Sequence, residues 1–123
     1  MPKTILVVED APVSRELLAH TLTQKGYQVL TAQDGRVALE ICQKTVPDLI
    51  LLDIEMPNVN GYTFITDLRR QEATKKSTKT PVVVLTAHDQ MEPIFKRHSV
   101  RAYLLKPIDM PKLLDKVKEI LGE

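Results

Sequence analysis

Residues 49–57 read Leu49-Ile50-Leu51-Leu52-Asp53-Ile54-Glu55-Met56-Pro57. Four consecutive apolar residues with no polar alternation form the pattern of a short strand covered on both faces. The run stops on a carboxylate. Outward from it lie three runs of the same kind, Ile5-Leu6-Val7-Val8, Val82-Val83-Val84-Leu85 and Ala102-Tyr103-Leu104-Leu105. Gln28 to Thr31 is a weaker fifth run, and its lower apolar content suits an edge strand.

Between the runs the apolar residues adopt helical spacing: Val13, Leu17, Leu18, Leu22; Val37, Ala38, Ile41, Cys42; Phe64, Ile65, Leu68; and Leu113, Leu114, Val117, Ile120, Leu121. Each stripe is expected to cover the sheet. Gly26 suits a C-terminal cap of the first helix, Asp34 and Asp109 suit N-caps, and Pro111 is tolerated in a first turn. Strand and helix therefore alternate along the whole chain. The fold class that follows is α/β, a doubly wound and mostly parallel sheet with right-handed crossovers, in one domain spanning residues 1–123.

The totals agree with one soluble globular domain, since 123 residues can bury a core without disulfide or metal staples. Seventeen basic against sixteen acidic residues leave a formal charge of +1, which excludes a global field for nucleic acid or an anionic membrane. No direct nucleic-acid binding and no membrane association are expected. The lone Cys42 cannot form an intramolecular disulfide, and no secretory or bilayer-spanning apolar run is present, so the expected location is cytoplasmic. Cys42 lies on an apolar helical face and is expected to be buried and inert. Met56 and Met110 read as packing residues, and the three histidines lack ligand spacing.

In doubly wound sheets ligands bind at the carboxyl ends of the strands. The residues found there are Glu9-Asp10 after the first strand, Asp53 after the third, Thr86 after the fourth and Lys106 after the fifth. Three carboxylates in one crevice repel one another, and a divalent cation resolves that conflict. Oxygen-only ligands favour Mg²⁺, with Mn²⁺ as the alternative, over zinc. Mg²⁺ commonly shares its octahedron between few carboxylates and phosphate oxygens, which points to phosphoryl chemistry. Lys106 and Thr86 would then stabilise and position a phosphoryl group, leaving Asp53 as the nucleophile. Taken singly, each residue also has an ordinary role as helix cap, turn former, backbone partner or surface charge. Their coincidence at one end of one sheet favours the functional reading.

These residues resemble the receiver domains of two-component response regulators. The similarity covers essentially the whole chain and rests on Glu9-Asp10, on Asp53-Ile54-Glu55-Met56-Pro57 with Gly61, on Thr86-Ala87, and on Tyr103-Leu104-Leu105-Lys106-Pro107. The resemblance implies strand order 2-1-3-4-5 with five helices, Asp53 as phosphoacceptor, and Mg²⁺ held by Asp10, Glu9, Asp53 and the backbone carbonyl of Glu55. It implies Thr86 as a switch hydroxyl, Tyr103 as the aromatic that turns inward behind it, and Thr86, Ala87 and Lys106 as phosphoryl-binding residues. A cis peptide before Pro107 is expected too. The domain would be a signalling switch rather than an enzyme with a foreign substrate, catalysing only its own phosphorylation and dephosphorylation. Its donor would be a phosphohistidine on a histidine kinase or histidine phosphotransfer protein, and its target a downstream effector or a fused output domain.

The chain departs from the family pattern in three places. His88 to Val100 is about two residues short and contains Pro93, so a fourth helix there should be short or start late. Ser99-Val100 replaces the usual Gly-Ala, which predicts a different turn and an unusual partner surface. Gln71 to Thr80, with Lys75, Lys76 and Lys79, reads as a long solvated loop. Glu55 and His88 are candidates to bias a hydrolytic water. Two alternatives stand beside the switch: an unphosphorylated pseudo-receiver scaffold, which would have no chemical need for this residue set, and a phosphoaspartate hydrolase, which would need a cap domain.

Overall fold

Continuous apolar runs form strands here because both faces of the sheet are covered. The computed structural model describes residues 2–56, 59–87 and 100–123, with the backbone alone at residues 55, 56 and 59–62. Strands β1 (Thr4–Val8), β2 (Gln28–Ala32), β3 (Leu49–Asp53), β6 (Val82–Thr86) and β7 (Val100–Leu105) make one sheet in the order β2-β1-β3-β6-β7. All neighbours are parallel. Between them run the helices α1 (Pro12–Gln24), α2 (Gly35–Lys44), α3 (Gly61–Lys75) and α4 (Met110–Leu121).

Alternate residues of each central strand feed opposite cores. Leu6, Val8, Ile50, Leu52, Val82 and Val84 pack with Ala38 and Cys42 of α2 and with Phe64, Ile65 and Leu68 of α3. On the other face, Ile5, Val7, Leu49, Leu51, Val83 and Leu85 meet Leu18 and Leu22 of α1 and Leu113 and Val117 of α4. Burying one such side chain stabilises the fold by about 1.5–3 kcal/mol. The central strands therefore form a rigid floor under whatever stands at their ends.

The expected caps are in place. Asp34 accepts a hydrogen bond from the Val37 amide at 2.9 Å, and Asp109 accepts one from the Lys112 amide at 3.2 Å. Gly26 follows the end of α1 with φ of +94°, a conformation that favours glycine. The weak run is indeed the edge strand β2, the Lys106–Pro107 peptide is cis, and Cys42 is buried.

Several details correct the sequence reading. The last run was expected to be covered on both faces, yet β7 is an edge strand whose outward residues Tyr103 and Leu105 are 38% and 46% exposed. Half of the α1 stripe also faces outward: Leu18 and Leu22 are buried, whereas Val13 and Leu17 are exposed. The long loop is shorter than expected, because α3 continues to Lys75. Within that stretch Glu72 and Thr80 are buried with Arg69, while Lys75, Lys76 and Lys79 are solvated as expected. After Asp53 the chain makes a small antiparallel hairpin of β4 (Glu55–Met56) and β5 (Val59–Asn60) that periodicity gave no reason to expect. Four helices occur among the described residues; the fourth of the five expected helices was placed within 88–100, and Pro93, His88 and Ser99 lie outside the described residues, as does Pro57.

Candidate functional site

Strand pairing carries one step beyond the strands and fixes the residues that follow them. The Glu9 amide donates to the Ala32 carbonyl at 3.0 Å, which extends the β1–β2 ladder and holds Glu9 in line. The Ile54 amide donates to Leu85 at 3.3 Å, and the Lys106 amide donates to Thr86 at 2.7 Å. In register, Val8 lies beside Leu52, Asp53 beside Leu85, and Thr86 beside Leu105. Glu9, Asp53, Thr86 and Lys106 thus emerge at one end of the sheet.

Their side chains converge. Carboxylate oxygens of Glu9, Asp10 and Asp53 all lie within 4.8 Å of one another. Glu9 and Asp53 are buried, at 4% and 2% exposure, and Asp10 is half-buried. Lys106 Nζ stands 2.9 Å from Asp53 Oδ2 and forms an ion pair with it. Among the described residues, that one ion-paired cation faces a cluster of three acids. Burial pushes the Glu9 carboxyl up to about 8; its hydrogen bond to Asp53 and the Asp53 charge act in the same direction, and Lys106 opposes them. Glu9 Oε2 is buried and has no hydrogen-bond partner among the described residues.

An orphaned carboxylate oxygen among hard oxygen donors is the environment that a small divalent cation satisfies. Among the described residues no nitrogen or sulfur ligand belongs to this cluster, and that donor set suits Mg²⁺ or Mn²⁺ better than zinc. Thr86 is buried beside the acids at the end of β6, and Ala87 is exposed immediately beyond it. Tyr103 lies on β7 in register with Val84 and is partly exposed. The Glu55 backbone begins the hairpin two residues after Asp53.

Two features at this end were missed in the sequence. Arg15 reaches back from the first turns of α1 to the backbone of Glu9 and Asp10. Its signal was its place three and seven residues before the buried Leu18 and Leu22, which puts it on the inward face of the helix. A groove of about 330 Å³ also opens between α1 and the start of α4, lined by Leu17, Leu18, Pro107 and Met110 and sharing Glu9 and Lys106 with the acidic cluster.

Comparison with known proteins places these features in context. The sequence profile of the response regulator receiver domain matches residues 5–118. Protein PilH of Pseudomonas aeruginosa is 34% identical over 120 residues, which cover 96% of this chain and 97% of PilH. The polar-differentiation response regulator DivK of Brucella anthropi is 30% identical over 125 residues, covering 100% of this chain and 99% of DivK. Among solved structures, the chemotaxis response regulator CheY4 of Vibrio cholerae superposes with a TM-score of 0.87 at 32% identity, over 98% of this chain and 99% of CheY4. The response regulator TrrA of Thermotoga maritima, solved in complex with Mg²⁺-BeF, gives 0.81 at 32% identity, over 96% and 98% of the two chains.

Proposed function

This chain belongs to the response regulator receiver family, and on that premise we propose that it is a phosphoacceptor switch whose Asp53 takes a phosphoryl group from a phosphohistidine. The observation that carries the proposal is the setting of Asp53: a buried carboxylate 2.9 Å from the Lys106 ammonium, with Glu9 and Asp10 within 4.8 Å. Support for a metal-assisted reaction comes also from TrrA, whose structure holds Mg²⁺ and BeF.

In the transfer, a carboxylate oxygen of Asp53 forms the new O–P bond as the N–P bond of the donor imidazole breaks, and the imidazole nitrogen recovers a proton. Bound Mg²⁺ would offset the charge between carboxylate and phosphoryl group. Glu9, Asp10, Asp53 and the Glu55 carbonyl would hold it. Lys106 would shift its ion pair from the Asp53 carboxylate toward a phosphoryl oxygen, adding charge stabilisation that costs little reorganisation. Thr86 would donate its hydroxyl and Ala87 its amide. Movement of Thr86 toward the phosphoryl group would let Tyr103 turn inward from its partly exposed position, and the changed β7 surface would then be read by an effector or output domain. The apolar groove beside Glu9 and Lys106 gives a donor protein a surface next to the acceptor.

Incubation with a small phosphodonor and Mg²⁺, followed by intact mass measurement, tests this reading. One labile phosphoryl group should be gained, and none by Asp53→Asn. Failure of the natural chain to gain it would return the protein to the scaffold reading.

A further inference from the structure

Helix α1 begins without a side-chain cap. Ala11 occupies the N-cap position, Pro12 follows it, and no acidic residue lies in the first turn. No N-cap side chain therefore ties the start of the helix to the chain before it. Arg15 makes a different tie, from inside the helix to the loop carrying Glu9 and Asp10. Its Nη1 donates to the Glu9 carbonyl at 3.0 Å and to the Asp10 carbonyl at 3.3 Å, while its own amide donates to Ala11 at 2.9 Å.

Glu9 is consequently gripped from two sides: its amide is tied to Ala32 of β2 and its carbonyl to the Arg15 guanidinium. The residue doing this is itself half-buried, and it shares its helical face with Leu18 and Leu22, which are packed in the core. Charge-assisted bonds of this kind are stronger than neutral ones. Mg²⁺ demands near-ideal octahedral geometry at about 2.0–2.1 Å, so small displacements of its carboxylates matter.

We propose that Arg15 is a positioning residue for the metal-holding carboxylates, acting through the backbone of Glu9 and Asp10 rather than touching metal or phosphoryl group. The proposal rests on the metal-assisted phosphoacceptor reading above. It separates sharply from an electrostatic role, because the two predict changes of opposite sign. A guanidinium acting by charge alone repels a divalent cation, so its removal would tighten Mg²⁺ binding. A guanidinium acting by position holds the ligands together, so its removal weakens binding.

The test is calorimetric titration of the unphosphorylated protein with Mg²⁺, alongside amide hydrogen exchange without metal. Arg15→Ala should weaken Mg²⁺ binding by about tenfold, the scale on which outer partners of metal ligands act. Exchange at the Glu9 amide, which donates to Ala32, should speed up while Leu18 and Leu22 keep their protection. Arg15→Lys, which retains the stem and a charged donor, should recover part of both losses and serves as the variant least able to disturb the helix. Unchanged or tighter binding in Arg15→Ala, no recovery in Arg15→Lys, or loss of protection throughout α1 would each overturn the proposal. A natural chain that does not bind Mg²⁺ at all removes the metal reading and this inference with it; one that binds as tightly as its Arg15→Ala variant removes the inference alone.

Discussion

The sheet carries a cluster of buried charges near each end, and the two clusters are built on opposite rules. At the carboxyl end, three acids face one lysine and Glu9 Oε2 is left without a partner among the described residues. Where the chain enters β6, Arg69 and Glu72 are both buried and paired at 2.8 Å. Arg69 Nη1 also donates to the Thr80 carbonyl at 2.9 Å, and the Thr80 amide donates to the second Glu72 oxygen at 2.7 Å. Both oxygens of Glu72 are thus engaged, and the contact fastens the end of α3 to the start of β6. A cluster closed around its acid in this way is costly to break, whereas one that leaves a buried carboxylate oxygen unengaged among the described residues waits for a ligand.

The largest expected effect tests the closed cluster. Glu72→Ala leaves the Arg69 charge buried and the Thr80 amide without its acceptor, and breaking a buried pair in this way costs about 3–5 kcal/mol. Urea denaturation should show the midpoint falling accordingly. A loss below about 1 kcal/mol, the range of exposed pairs, would make this contact a surface bridge in energetic terms.

At the open cluster the same kind of change should have the opposite sign. Glu9→Gln removes an acid that burial, helped by Asp53, holds above its ordinary range, so the metal-free protein should gain about 1 kcal/mol, as is common where function strains a site. The variant should lose Mg²⁺ affinity at the same time. If it is destabilised as Glu72→Ala is, the contrast between the two ends disappears.

The contrast also explains what could be read in the sequence. Glu9, Asp10, Asp53, Thr86 and Lys106 were legible because a parallel sheet delivers the residue after each strand to one place, and four of the five strands announce themselves as unbroken apolar runs. The Arg69–Glu72–Thr80 cluster was not legible. A charged pair three residues apart on a helix is ordinary on a surface, and only the turn of the chain after Lys75 brings Thr80 back over it. Tyr103 and Leu105 sit in a run as apolar as the others, but they face outward because an edge position, not composition, decides burial there. Arg15 was hidden for a related reason: its partners are backbone carbonyls, which carry no sequence signal.

The smallest expected effect is a pH dependence confined to the open end. In the fold, Glu9 keeps its proton up to about pH 8, while the unfolded chain releases it near the ordinary value of 4.5. Between those values the folded state binds more protons, so the contribution of Glu9 is complete below about 4.5 and is lost as pH rises toward 8. The difference in melting temperature between the natural chain and Glu9→Gln isolates this contribution from every other titrating group. In EDTA, the natural chain should lose a few degrees relative to the variant across that window. Saturating Mg²⁺ should reverse the order at the alkaline end, because a cation that binds only the fold stabilises it by mass action and binds better once Glu9 is ionised. A difference that stays flat in EDTA would mean that Glu9 ionises normally in the fold; the acidic cluster would then be at ease without a cation, and the physical case for a metal at this end would lose its main support.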